Sequence, residues 1–295
     1  MKDEKRFRIV EKTKLWFIIS AVIMVISIGS IAIRGLNYGI DFVGGTAITI
    51  NMEKSFKIDS VRKIVEKYDK SAQVQEIEGN DVSIRSNELT DDSAKKLFEE
   101  VKKEFNLKAN SPVQSERIGP SIGKELSQKA FMSSIVAIVG ILIYLCIRFE
   151  WRFGVAAISS LLHDLIITIG IFSLFQIPIN SSFIAAILTI LGYSINDTVV
   201  VFDRIRENKK KRRFESNTIL GDVSLTQTMA RSINTVLTVL IAITSLYIFG
   251  VSAIKEFALP LIIGIAFGGY SSIFVAVPVW VLLADKYKKK AKIKI

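Results

Sequence analysis

Cysteine occurs once in the 295 residues, as Cys146, so no intrachain disulfide can form and every folded part must stand on packing. Histidine also occurs once, as His163, and no GxxxxGK[ST] run is present. The missing glycine-rich loop removes the phosphate cradle of a nucleotide hydrolase, so hydrolytic enzyme chemistry is not expected. Between Arg34 and Lys129 there is neither His nor Cys and no metal-ligand spacing, so no catalytic residue, metal or cofactor is implied there. The most informative absence is local. Leu15–Ile33, Ala130–Ile147, Ser232–Ile254 and Phe257–Ala284 hold no charged residue at all. Phe153–Phe175 holds only Asp164, beside His163, and Phe183–Phe202 holds only Asp197. A hydrocarbon core about 30 Å thick needs roughly 20 helical residues to cross it. Six such runs in one chain exclude a water-soluble protein.

The charge lies between these runs, with a net +11. Lys and Arg near membrane spans set orientation. The N-terminal tail, residues 148–152, residues 203–231 and the C-terminal tail hold 22 of them, against Lys255 alone in the alternate short connections. Both termini are therefore expected in the cytoplasm, and residues 34–129 outside. The surplus charge reads as a topology signal and a contact with anionic membrane lipids. That distribution leaves no reason to expect a nucleic acid partner. The first run follows a basic segment and ends near Ser30-Ile31-Ala32, a passable cleavage site. Its 19 apolar residues exceed the 7–15 of a secretory signal, so a retained anchor is expected.

Within 34–129 the periodicity changes. Thr46–Asn51 alternates as a strand, and Ile58, Val61, Ile64, Val65 and Tyr68 share one helical face. Ala72–Glu78 and Asp81–Arg85 read as strands around a Gly79-Asn80 turn. Thr90 can cap a helix with Asp91 and Asp92 in its first turn and Ala94, Leu97, Phe98, Val101 and Phe105 on its inner face. Pro112–Ile118 completes a β-α-β-β-α-β order, the ferredoxin-like arrangement. The fold class is thus an α-helical membrane protein: six transmembrane helices with an inserted α+β ferredoxin-like extracytoplasmic domain, which reads as a binding or lever domain. The expected divisions are a basic cytoplasmic tail (1–14), the first transmembrane helix (15–33), the outer domain (34–129), the five remaining helices (130–284) and a second basic tail (285–295). Gly119-Pro120, Gly123, Gly35 and Gly39 flank the outer domain, either as ordinary turns or as hinges.

Two stretches resemble a known family. Gly39-Ile40-Asp41-Phe42-Val43-Gly44-Gly45-Thr46 is similar to the GIDFxGG signature that follows the first span in the SecD/SecF family. The run from Leu191 to Asn208, LGYSINDTVVVFDRIREN, resembles that family's fourth span and the segment after it. The GPxxG pattern at Gly119–Gly123 and the His163-Asp164 pair fit as well, and the length of the outer segment points to the SecF branch. The resemblance implies residence in the bacterial inner membrane and a role late in protein export. It implies a SecD-like partner subunit, the SecYEG channel, and exported unfolded preproteins as the substrate, driven by the ion gradient, with a fold similar to half of a resistance-nodulation-division transporter. It also implies that Asp197 and Arg231 serve an ion path, completed by an aspartate of the SecD-like partner.

The polar residues within the spans can be weighed on their own. A mid-helix aspartate costs about 2.5–3.5 kcal/mol on insertion scales, so it has a task or a partner. Asp197 shares a helical face with Tyr193 and Ser194. Thr228, Arg231, Thr235, Thr238, Ala242 and Ser245 form a matching stripe on the fifth span. The two stripes are expected to face a shared interior where Arg231 can approach Asp197. A separable pair would switch when the aspartate is protonated; a permanent pair would only orient two helices. One charge moving through the full potential releases about 2.3 kcal/mol per 100 mV, enough to bias two packings. His163 and Asp164 read either as a second proton-path pair or as a structural lock. Asn196 reads as an interhelical hydrogen-bonder. Gly264 and Gly268 form a GxxxG helix contact, Pro260 and Pro278 sit near the ends of the sixth span, and Asp41 suits a cap or pair at the domain junction. A small-molecule or lipid exporter subunit and a passive scaffold of the translocon remain as other function classes.

Overall fold

The computed structural model describes residues 6–70, 72–77, 80–110, 112–211 and 214–293. Glu78 and Gly79 of the expected hairpin, Arg212 and Arg213, and the extreme ends of both basic tails lie outside the described residues. In chain order the elements are α1 (Thr13–Arg34), α2 (Ile40–Val43), β1 (Gly45–Asn51), α3 (Ile58–Val65), β2 (Gln73–Ile77), β3 (Asp81–Ser86), α4 (Asp91–Phe105), β4 (Gln114–Ile118), α5 (Pro120–Arg148), α6 (Trp151–Leu174), α7 (Ser181–Lys211), α8 (Asn217–Phe249), α9 (Ser252–Ser271) and α10 (Val277–Ile293). A 3₁₀ turn at Val10–Lys12 precedes α1, and a π turn at Ser272–Ala276 joins α9 to α10. The chain divides into a helical unit (Met1–Asn37, Ser134–Ile177, Ser182–Ile295) and an α+β unit (Tyr38–Ser133, Pro178–Ser181).

In the α+β unit the strands form one antiparallel sheet in the order β2-β3-β1-β4. Burial alternates along β1, whose Ile48 and Ile50 point into the core. Val61, Ile64 and Val65 of α3 and Ala94, Leu97, Phe98 and Val101 of α4 share that core. Thr90 and Ser93 cap α4 reciprocally, and Asn106 ends it in the left-handed conformation. The β-α-β-β-α-β order is therefore met by elements whose local signals agree with their packing.

Among the described residues, six helices are long and apolar enough to cross a membrane. The packing of α1 is inverted relative to a water-soluble bundle. The buried residues of α1 are Ser20, Ser27 and Ser30, while Ile18, Val22, Val25 and Ile33 are exposed. Lipid solvates aliphatic side chains, so close approach and hydroxyl pairing decide which face turns inward. Gly170 of α6 admits Ser27 so closely that a Cβ there would overlap it, and Ser30 meets Ser173 at 3.1 Å. On α9, a Cβ at Gly264 would overlap Ile190 of α7, and Gly268 lies beside Ser194, so the GxxxG pattern receives α7.

Several boundaries differ from the sequence reading. α5 begins at Pro120, ten residues before the expected span. Most of 203–231 is helix rather than loop, because α7 runs on to Lys211 and α8 starts at Asn217. Ion pairs Arg204–Glu207 and Lys211–Glu207 line the extension of α7, and Ser216 caps α8. These polar extensions need no apolar run, so a hydropathy limit misses them. Pro260 and Pro278 lie within the continuous α9–π–α10 rod rather than near its ends, and Pro278 directly follows the π turn.

Candidate functional site

The intramembrane polar groups of the helical unit form two sites that share Ser194. In the first, Asp164 of α6 is 1% exposed and fully engaged. Its Oδ1 lies 3.0 Å from His163 Nδ1, and its Oδ2 accepts from Ser194 of α7 at 2.6 Å and from Ser271 of α9 at 2.8 Å. Ser160 donates to Ser271 at 2.7 Å, extending the network. The His163 ring, 2% exposed, stacks on Tyr270 with centroids 5.8 Å apart, and its Nε2 is buried without a partner among the described residues. Three helices thus close on one carboxylate.

One turn further along α7 is the second site. Tyr193, Ser194, Asn196 and Asp197 line a cavity of about 20 Å³ with Thr235 and Val236 of α8 and Ile265, Gly268 and Gly269 of α9. That is room for about one water molecule. Ser232, Ser272 and Arg231 lie near enough to act on the Asp197 carboxylate. Even so, Asp197 Oδ2 and Ser232 Oγ are buried with no hydrogen bond of good geometry. The two carboxylates therefore differ: both oxygens of Asp164 are engaged, whereas half-buried Asp197 keeps one buried oxygen without a well-formed hydrogen bond.

Arg231 meets the expected arrangement only in part, near enough to act on Asp197 but not paired with it. It forms no ion pair with Asp197 among the described residues, and it is exposed on α8. Of its stripe, only Thr228 is buried; Thr235, Thr238, Ala242 and Ser245 are exposed apart from the edge that Thr235 gives to the cavity. Thr235, Thr238 and Ser245 donate to the carbonyls of Arg231, Asn234 and Ile241, one turn back. Hydroxyls satisfied within their own helix need no partner from this bundle, so spacing alone could not decide which way the stripe turns. Asn196 is exposed and bonds to no other helix among the described residues.

The sequence reading missed Ser271, Ser272, Ser160 and Ser232. A signal for two of them was present: Ser271 and Ser272 continue the Gly264–Gly268 spacing along the face that meets α7. Thr198 pairs there with Ser272 at 3.0 Å, and Ser272 donates to Gly268 O at 2.8 Å. It also missed Asp222, fully buried near the start of α8, which accepts from Val10 N at 2.7 Å and so anchors the 3₁₀ turn before α1.

The glycine motif lies in the α+β unit. Gly39, Asp41, Gly44 and Gly45 surround the single turn of α2, with Gly44 and Gly45 at φ of 79° and 140°. A Cβ at Gly45 would stand 2.5 Å from Ser86 O, which only glycine avoids. Asp41 caps a helix start: its Oδ2 accepts from Ser181 N at 2.7 Å.

Comparison with known proteins agrees with this architecture. Residues 95–286 match the family described as protein export membrane protein SecD/SecF, C-terminal, and residues 29–55 match the SecD/SecF GG motif. The protein translocase subunit SecF of Haemophilus influenzae is 41% identical over 274 residues, which cover 90% of this chain and 82% of that protein. SecF of Sebaldella termitidis is 38% identical over 97% of this chain and 94% of its own length. The crystal structure of SecDF from Thermus thermophilus, described as a translocon-associated membrane protein, superposes with a TM-score of 0.86 at 35% identity. This chain is covered over 96% of its length there, but it spans only 39% of that fused SecDF chain. A multi-pass membrane protein with the family's glycine motif and near full-length SecF relatives, the chain belongs to the SecD/SecF family of protein-export membrane proteins, among its SecF subunits.

Proposed function

We propose that this chain couples the transmembrane proton gradient to late preprotein translocation, as the SecF half of a heteromer with a SecD-like subunit at the SecYEG channel. It sits in the bacterial inner membrane with both termini cytoplasmic and the α+β unit, a ferredoxin-like domain, outside. The observation that carries this reading is the buried, unpartnered Asp197 Oδ2 beside a one-water cavity. A carboxylate serving only as a lock would be satisfied as Asp164 is. One whose Oδ2 has no donor of good geometry gains more by taking up a proton, and a single water is enough to deliver it. Arg231 and the exposed hydroxyl stripe of α8 then face the SecD-like partner, whose own acidic group completes the path. Protonation alternates the charge at Asp197, and about 2.3 kcal/mol per charge per 100 mV is available to shift helix packing. The outer domain is the lever that this shift moves against the emerging unfolded preprotein. No cofactor and no catalytic step enter the scheme.

The test is export of a reporter preprotein in cells depleted of this chain and supplied with wild type or Asp197→Asn at equal expression and assembly. Loss of export with the variant is expected. Full export with it would leave a passive scaffold, and normal export after depletion alone would favour a small-molecule or lipid exporter.

A further inference from the structure

The proposed ion path makes no use of the glycine motif, which is built around another part of the chain. Gly39 N donates to Ile179 O at 2.7 Å, and Tyr38 bridges to Ile179 in parallel register. A Cβ on Gly39 would stand 2.9 Å from that same carbonyl. Two residues later, Asp41 Oδ2 accepts from the backbone N–H of Ser181, the first residue of α7. A carboxylate there satisfies an orphan donor and meets the positive end of the helix dipole. The motif's other side grips the rest of the α+β unit. A Cβ on Gly123, in the first turn of α5, would stand 2.9 Å from Phe42 O and 3.0 Å from Gly44 N, and Gly45 lies under Ser86 O of β3. The segment Pro178–Ser181 belongs to the α+β unit for this reason, although it is remote in sequence.

α7 therefore begins inside the α+β unit and carries Asp197 sixteen residues on, about 24 Å along one continuous helix. We propose that Asp41 is a positioning residue for energy coupling: through its bond to Ser181 it ties the α+β unit to the helix that bears Asp197, so that movement of either is passed to the other. The glycines bring the two backbones close enough for a rigid clasp, and the carboxylate closes it. A short bond to the first N–H of a helix resists both axial slip and rotation, which a flexible linker would absorb.

This inference rests on the ion-coupling role of Asp197. It is tested with the full chain assembled with its SecD-type partner and the SecYEG channel in vesicles bearing an imposed proton gradient, following gradient-stimulated export and Asp197-dependent proton uptake separately. Asp41→Ala removes the acceptor. Ser181→Pro removes the donor while keeping a residue favoured at a helix's first position. Both are expected to lower gradient-stimulated export about tenfold while proton uptake persists, and Asp41→Asn, which keeps an acceptor oxygen, is expected to restore export. Wild-type export from both Asp41→Ala and Ser181→Pro would overturn the inference. So would loss of proton uptake together with export in both, since the bond would then merely hold the fold. Undiminished export from Asp197→Asn would instead remove the coupling reading beneath it.

Discussion

Asp164 and Asp197 are both carboxylates inside apolar helices, and their surroundings predict opposite responses to losing them. Asp164 engages His163, Ser194 and Ser271. Interhelical hydrogen bonds in membranes contribute about 0.6 kcal/mol on average and up to about 1.7, because segments separated in lipid or detergent find other partners. Two of these bonds, to Ser194 and Ser271, cross between helices, and their loss in Asp164→Ala amounts to about 1–3 kcal/mol. Asp164→Asn keeps the shape, accepts from both serines through its carbonyl, and can donate to His163 Nδ1 once the imidazole proton moves to Nε2. Its cost is about 1 kcal/mol or less, the difference between charged and neutral acceptors. Asp197 Oδ2 has no hydrogen bond of good geometry among the described residues, and the nearby Ser232 and Ser272 can donate to an amide oxygen as well, so Asp197→Asn should change stability by no more than about 0.5 kcal/mol. The assay is the thermal unfolding midpoint of the purified chain in detergent, followed by loss of the monodisperse peak. The expected order is Asp197→Asn level with wild type, Asp164→Asn slightly below, and Asp164→Ala well below both. Export should rank them differently, with Asp197→Asn the most impaired. If Asp197→Asn melts as low as Asp164→Ala, or Asp164→Asn melts no higher than Asp164→Ala, the distinction between lock and ion site fails.

At the α1–α6 contact, Gly170→Ala places a methyl into Ser27 and should cost about 1–3 kcal/mol as overpacking. Adding Ser27→Gly should restore most of the loss in thermal midpoint, and a double variant no better than the single would assign the defect elsewhere. Arg231→Gln, on the exposed face of α8, should leave the melting of the isolated chain within about 0.5 kcal/mol while reducing export; a large drop in stability would place Arg231 inside this bundle instead. In the α+β unit, the ammonium of Lys67 and the hydroxyl of Tyr68, 2.9 Å away, hold the Glu100 carboxyl below its ordinary range. A depressed folded-state pKa stabilises fully above the ordinary carboxylate value of 4.5 and fades as pH falls through the lowered one. Wild type should therefore outlast Glu100→Gln in thermal unfolding at pH 7, with the gap closing below about pH 4; a gap independent of pH would refute the linkage.

The sequence by itself determined the class of this protein, because apolar length and periodicity are local properties. Six charge-free or nearly charge-free runs require a bilayer. The alternation at Thr46–Asn51 and the helical face from Ala94 to Phe105 require a sheet covered by helices. Gly264 and Gly268 announced a close helix contact, and Asp197 stood out by its cost. What the tertiary structure alone decided is which residues meet. Nothing in the spacing of Thr228, Arg231 and Thr235 tells whether that stripe turns inward, since each threonine can satisfy its hydroxyl on its own helix. Polar extensions such as 203–211 are held by ion pairs and caps, to which a hydropathy window is blind. The donors that saturate Asp164 come from residues 30 and 107 positions away, and the N–H that Asp41 caps lies 140 positions on. Distances of that kind are set by how helices pack in a solvent that does not separate polar from apolar faces, and so only the folded chain distinguishes the carboxylate with both oxygens bonded from the one with an oxygen left over.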